Sequence, residues 1–206
     1  MPLRTVDHPL AQHLLAELRD QTTPPSRFRQ VTKALTTILV LDATRSVQTE
    51  HGSVQTPLGL APANRMAESI AVVPVLRAGL GMLEPVVELF PDVAVGYIGL
   101  ERNETTAIAR SYYSKLPNLS QKFCLCIDPM LATGGSAAQA IGFMKMKGAD
   151  RVTMVCIVAA PEGVATLQKH HPDVEIVTAA LDDHLDSRKY IVPGLGDFGD
   201  RLYATP

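Results

Sequence analysis

The chain has no tryptophan and only three cysteines, Cys124, Cys126 and Cys156. All three lie in strand-like apolar runs, without the paired His or Cys spacing of a zinc site, and read as buried thiols that pack as small hydrophobes. Basic excess is missing as well. Nineteen Lys and Arg stand against 21 Asp and Glu, for a formal charge of -2 with no basic run, which argues against a nucleic-acid binder. No apolar run reaches the ~20 residues of a membrane helix, and "MPLRTVDHPLAQ" lacks the apolar core of a signal peptide, so a cytoplasmic protein is expected. There is no Gly-Lys-Ser or Gly-Lys-Thr, which sets aside a P-loop. No strand is read as leading into Gly-x-Gly-x-x-Gly, which sets aside a dinucleotide fold.

What is present fits one domain. The 206 residues are 46% hydrophobic, enough for a sizeable core, with no internal repeat or interdomain linker. Leu10, Leu14, Leu15 and Leu18 recur at helical spacing, and Phe28, Val31, Leu35, Ile38 and Leu39 mark a second amphipathic helix. The polar stretch "TRSVQTEHGSVQTPL" (44–58) alternates around Gly52 and suggests a β-hairpin arm that projects from the body. From Ser69 on, "IAVVPVL", "VAVGYIGL", "FCLCI", "VTMVCIV" and "VEIVTAA" lack polar alternation, as strands covered on both faces do. Helical segments at 79–90, 136–147 and 161–170 separate several of them, which predicts a parallel α/β sheet flanked by helices. The Gly- and Asp-rich tail, residues 181–206, does not continue this pattern.

Ligands of open parallel sheets gather beyond the carboxyl ends of the strands. At such an end stands "CLCIDPMLATGGSAAQAI" (124–141). Asp128 closes the strand, and Thr133, Gly134, Gly135 and Ser136 open a helix. Glycines let several backbone N–H groups converge, and the helix start adds partial positive charge: together they make a cup for phosphate. A carboxylate beside that cup would accept hydrogen bonds from sugar hydroxyls or help hold a hydrated magnesium ion. The plainer alternative is a tight strand-to-helix turn with a serine N-cap.

"IDPMLATGGS" resembles the sugar-diphosphate loop of the phosphoribosyltransferases, in the form found in the uracil phosphoribosyltransferase family, with Asp128 followed by Pro129 instead of a second acid. "VVPVLRAGLGM" (72–82), "ERNETT" (101–106) and "YIVPGLGDFGDRLYAT" (190–205) resemble three further segments of that family, in the same order along the chain. The resemblance implies a phosphoribosyltransferase-type fold with a C-terminal hood over residues 181–206. It also implies transfer of phosphoribose from 5-phospho-α-D-ribose 1-diphosphate to N1 of uracil, giving UMP and diphosphate, with magnesium as cofactor.

By the same resemblance, Arg77 and Arg102 contact the diphosphate of the donor. Residues Asp128, Pro129, Met130, Leu131, Ala132, Thr133, Gly134, Gly135 and Ser136 cradle its ribose and 5-phosphate. Ile191, Gly196, Asp197 and Phe198 line uracil, and Asp197 also reaches the donor. Asp197 and Asp200 are the candidates to take the uracil proton, or else they cap the Gly-rich turn. Two departures stand out. The family usually carries Ala at Phe198, whose ring either packs in the core or reshapes the pocket. The flap at 105–116, with Tyr112 and Tyr113, lacks the usual Glu and Pro. Relatives form homodimers or homotetramers, with the 44–58 arm as the candidate contact, and some respond to GTP. The alternative function is a regulator of the same fold that senses uridine nucleotides and binds RNA, whose feature would be a basic face with exposed aromatics; the slight acidity and the absence of basic runs argue against it.

Overall fold

The computed structural model describes residues 3–102 and 109–205. Its centre is a mostly parallel sheet. β1 (Leu3–Thr5) lies beside β11 (Glu175–Leu181), followed by β10 (Arg151–Ala159), β8 (Lys122–Ile127), β4 (Ser69–Leu76), β6 (Tyr97–Arg102) and β7 (Ala109–Lys115). Among the described residues, only β6 and β7 pair antiparallel within it. The sheet is apolar on both faces because successive side chains point to opposite sides. Ile70, Val72, Phe123, Leu125 and Ile127 pack on one side; Ala71, Val73, Val75, Cys124 and Cys126 pack on the other.

α1 (Pro9–Arg19), α2 (Pro25–Ala43) and α3 (Leu83–Leu89) contribute to the first core; α4 (Gly135–Met146) and α5 (Pro161–His170) contribute to the second. Proline stands in the first turn of α1, α2 and α5, where its missing N–H costs no intrahelical bond. Leu14, Leu15 and Leu18 of α1 are buried, while Leu10 is half exposed.

Several expectations needed correction. The hairpin is β2 (Thr49–Thr56) with β3 (Gly59–Met66), not 44–58, and Gly52 sits within a strand opposite Ala63. The reversal falls at Pro57 and Leu58, where the Thr56 hydroxyl accepts from the Leu58 and Gly59 N–H groups and donates to the Gly59 carbonyl. The helix expected at 79–90 begins instead as a 3-10 turn over Ala78–Met82. A side chain at Gly79 would strike the Ile127 carbonyl at 2.6 Å, so that turn is pressed against the end of β8. "VAVGYIGL" breaks at Gly96 into β5 (Ala94–Val95) and β6. Part of the supposed flap, Ala109–Lys115, is strand β7, and residues 103–108 lie outside the described residues.

Candidate active site

β4 and β8 are neighbours at the point where the sheet's strand order reverses, the place where open α/β sheets bind ligands. Arg77 follows β4 and Asp128 follows β8, and both line one cleft of about 670 Å³, a size suited to a small-molecule substrate. The Leu76–Arg77 peptide is cis.

Beyond Asp128 the chain is not a free loop. β9 (Met130–Leu131) pairs with β10 at Val158 and Ala159, and the Ala160 N–H donates to the Leu131 carbonyl at 2.9 Å. Leu131 is thereby buried, while Met130, Ala132 and Ser136 face the cleft. The N-cap of α4 is Gly134 at φ +80, not a serine. A side chain at Gly134 would come within 2.6 Å of the Gly163 carbonyl, so α5 presses directly on this turn. The N–H groups of Gly135, Ser136 and Ala137 belong to the first turn of α4, where no intrahelical acceptor exists, and they are the donors available to an anion.

The roof of the cleft comes from the C-terminal segment. β12 (His184–Leu185) pairs with β13 (Ile191–Val192), and α6 (Phe198–Tyr203) follows. Residues 194–199 do spell Gly-x-Gly-x-x-Gly, contrary to the sequence reading, but between a two-residue strand and a six-residue helix, not in a nucleotide-binding βαβ unit. The segment is anchored from below. The Arg19 guanidinium holds both oxygens of the buried Asp182 carboxylate at 2.5 and 2.9 Å and donates to the Gly194 carbonyl at 2.6 Å; Asp182 in turn accepts the Gly194 N–H. Arg201 lies over the Phe28 ring, 4.5 Å from its centroid, and donates to the carbonyls of Leu18, Leu195 and Asp20. Burial pulls the Arg201 guanidinium below its ordinary pKa, with Asp20 opposing.

Ile191, Gly196, Asp197 and Phe198 all line the cleft. The Phe198 ring is 2% exposed and meets Phe28 edge-on, 5.1 Å between centroids, so its bulk fills the core and leaves the cleft open. The two acids of this segment separate. Asp197 lines the cleft and caps α6 through the Asp200 N–H at 3.0 Å, whereas Asp200 lies outside the cleft wall and accepts the Thr205 hydroxyl. Arg102 ends β6, but its side chain lies outside the described residues.

Sequence reasoning missed Arg188 and Lys189, which also line the cleft. The Asp186 carboxylate accepts the N–H groups of Arg188 and Tyr190, both at 2.8 Å, and so holds the turn with Lys189 at φ +69. An Asp followed by Ser and a basic pair just ahead of "YIVPG" was the available signal for that turn. Tyr203 was missed too: its hydroxyl donates to the Arg77 carbonyl at 3.1 Å. Burial raises the Tyr203 pKa, and the Arg77 charge opposes it. The cysteines conform to the plain reading: all are free and buried, and burial pushes the Cys124 and Cys156 thiols up to about 12 and Cys126 higher still.

Among the described residues no cluster of three or more His, Cys, Asp or Glu side chains could cage a metal ion. Two carboxylates, Asp128 and Asp197, do line the cleft. That donor set fits magnesium, which keeps most of its waters and binds through one or two carboxylates together with substrate phosphates. No described helix is long and apolar enough to cross a membrane.

A mostly parallel sheet with its cleft at the carboxyl ends of β4 and β8 places the chain among proteins of phosphoribosyltransferase fold. A phosphoribosyltransferase from Corynebacterium diphtheriae superimposes with a TM-score of 0.51 at 14% identity, covering 82% of this chain and 92% of that one, a likeness of fold alone. A solved protein from Aquifex aeolicus superimposes far more closely, with a TM-score of 0.93 at 38% identity over 98% of both chains. The model of the uracil phosphoribosyltransferase family matches residues 5–205. Uracil phosphoribosyltransferases of Dictyoglomus turgidum and Shouchella clausii are 46% and 45% identical over 202 and 205 residues. The first alignment covers 97% of this chain and 98% of the relative; the second covers 98% of each. The chain belongs to the uracil phosphoribosyltransferase family.

Proposed function

We propose that this cleft transfers phosphoribose from 5-phospho-α-D-ribose 1-diphosphate to N1 of uracil, giving UMP and diphosphate. The observation that carries the reading is the meeting of Arg77, Asp128 and the C-terminal roof in one cleft at the switch point of the sheet, in a chain of this family.

The bond from the sugar carbon to the diphosphate lengthens early, and the ribose takes on oxocarbenium character. No protein nucleophile is needed; catalysis rests on alignment and on stabilising charge on the leaving diphosphate. The planar Arg77 guanidinium suits that diphosphate, with Arg102 in the same role. The first turn of α4 and the residues from Pro129 to Ser136 hold the 5-phosphate, and Asp128 accepts the ribose hydroxyls. Asp128 and Asp197 would hold magnesium together with the donor diphosphate, and the ion would supply further charge neutralisation there. Main-chain N–H and C=O groups around Ile191, Gly196, Asp197 and Phe198 read the uracil edge, which rejects cytosine because its amino group would face a donor with a donor. Of the two candidate proton acceptors, Asp197 is favoured because it alone lines the cleft.

The protein works as one domain, with 181–206 as its hood. It assembles as a homodimer or homotetramer through the β2–β3 arm. Residence in the cytoplasm is checked by fractionation, and the response to GTP that some relatives have is checked by adding GTP to the assay.

The test is UMP formation from labelled uracil with the donor and magnesium, alongside hypoxanthine, guanine, orotate and cytosine. Uracil alone is expected to react above background; equal use of another base overturns the specificity. Arg77→Ala is expected to lower kcat/KM for the donor by about 100-fold or more; an unchanged value removes Arg77 from the diphosphate.

A further inference from the structure

Arg77 lines the cleft, and its position is set through its main chain. The Arg77 carbonyl accepts two hydrogen bonds, from the Leu80 N–H at 3.1 Å and from the Tyr203 hydroxyl at 3.1 Å. The first closes the 3-10 turn over Ala78–Met82. The second comes from the far end of the chain, across 126 residues. With both lone pairs of that oxygen engaged, the Arg77–Ala78 peptide plane is held on two sides. The Ala78 N–H belongs to the same plane and points the opposite way, and Ala78 lines the cleft.

The two segments also fit together by shape. A side chain at Gly81 would come within 2.7 Å of Leu202 Cδ2 and 3.4 Å of Phe198 Cε1, so α6 rests directly on the 3-10 turn. The Arg29 guanidinium fixes the end of α6 by donating to the Leu202 carbonyl at 2.8 Å. The body of α6 is therefore held without the Tyr203 hydroxyl, and that hydroxyl is spent on Arg77. A phenol is protonated throughout the neutral range, and partial burial moves its pKa further up, so the hydroxyl is a donor there.

We propose that Tyr203 is a positioning residue for the diphosphate side of the site: its hydroxyl clasps the Arg77 carbonyl and ties the uracil roof to the loop that grips the leaving group. The inference rests on the reading of Arg77 given above. It makes the segment that reads the base also the segment that aligns the charge on the diphosphate.

The experiment compares Tyr203→Phe, Arg77→Ala and the double variant, each with the donor varied at saturating uracil and the reverse, and with melting temperatures. Tyr203→Phe keeps the ring and removes only the hydroxyl. It is expected to lower kcat/KM for the donor by about 3- to 10-fold, the share of one hydrogen bond. KM for uracil is expected to stay within about twofold and Tm within about 2 °C. In the Arg77→Ala background, Tyr203→Phe is expected to add nothing, because the hydroxyl acts through Arg77. Two results overturn the proposal while leaving the site reading intact: a donor kcat/KM unmoved by Tyr203→Phe while Arg77→Ala lowers it, or equal losses for both substrates together with a fall in Tm. An Arg77→Ala variant with an unchanged donor constant removes the site reading and this inference together.

Discussion

The arm and the hood are both appendages to the sheet, and they are built in opposite ways. The arm is locally regular: β2 and β3 pair residue for residue from Thr49 with Met66 to Thr56 with Gly59. It is gripped at its base, where Glu68 accepts the Gln48 N–H and pairs with Arg151, which also donates to Ser46. Toward the tip, Leu58 is 99% exposed and Leu60 76% exposed. The hood is locally irregular, with two-residue strands and a six-residue helix. Yet it is bonded to distant parts of the chain: Arg19 and Arg29 donate to its Gly194 and Leu202 carbonyls, and its own Arg201 donates to the carbonyls of Leu18 and Asp20. A ladder holds an element's own shape; only bonds to distant residues hold its place. The proposed roles divide in the same way: reading a small ring requires place, and meeting a second copy of the chain requires shape and exposed apolar surface.

The sharpest way to break this contrast is Arg19→Ala. It strands the Asp182 carboxylate, whose side chain is 4% exposed, at a cost of about 3 kcal/mol. Urea unfolding should show that loss, and uracil turnover should fall with it. Full stability in the variant would mean that the hood is held some other way.

A second test weakens the shared platform instead of either appendage. Burial raises the Cys156 thiol to about 12 and moves Cys126 in the same direction. A raised folded-state value means stability that is complete below the unfolded thiol's value of ~8.5 and lost as pH climbs through the folded one. Between about pH 9 and 11 the unfolding free energy from urea titrations should therefore decline by about 1.4 kcal/mol per pH unit for each such thiol. Cys156→Ala should remove one share of that slope; a flat wild-type profile would contradict burial of the sulfurs.

The smallest effect is expected on the arm. Leu58→Ser with Leu60→Ser should change the stability of the single chain by less than about 0.5 kcal/mol. Sedimentation should nevertheless show weaker self-association. An unaltered oligomer would place the contact elsewhere.

Much of this was readable in advance where chemistry is local. The two-faced strands, the leucines of α1 and the helix over 161–170 follow from periodicity. Arg77 and Asp128 could be placed because each stands directly after an apolar run. The turn at Pro57 and Leu58 was misplaced because Gly52 mimics a turn residue, while the actual reversal is closed by one threonine hydroxyl. The segment from Asp128 to Ser136 was read as a phosphate cup or a tight turn; that β10 and α5 capture its backbone was not legible, because those contacts depend on which strand lies next to which. Arg188 and Lys189 went unread because a basic pair in a polar turn is ordinary until a cleft is seen beneath it.

The amino-acid order alone settled the class of fold, the sites where strands end, and the family, because these depend on patterns within a few neighbouring residues and on motifs in series. The tertiary structure decided that Phe198 belongs to the core, that Asp197 and not Asp200 faces the cleft, and that Tyr203 reaches Arg77. Each of those facts depends on which distant segments are brought into contact when the chain closes around its sheet, and spacing along the chain carries no measure of that.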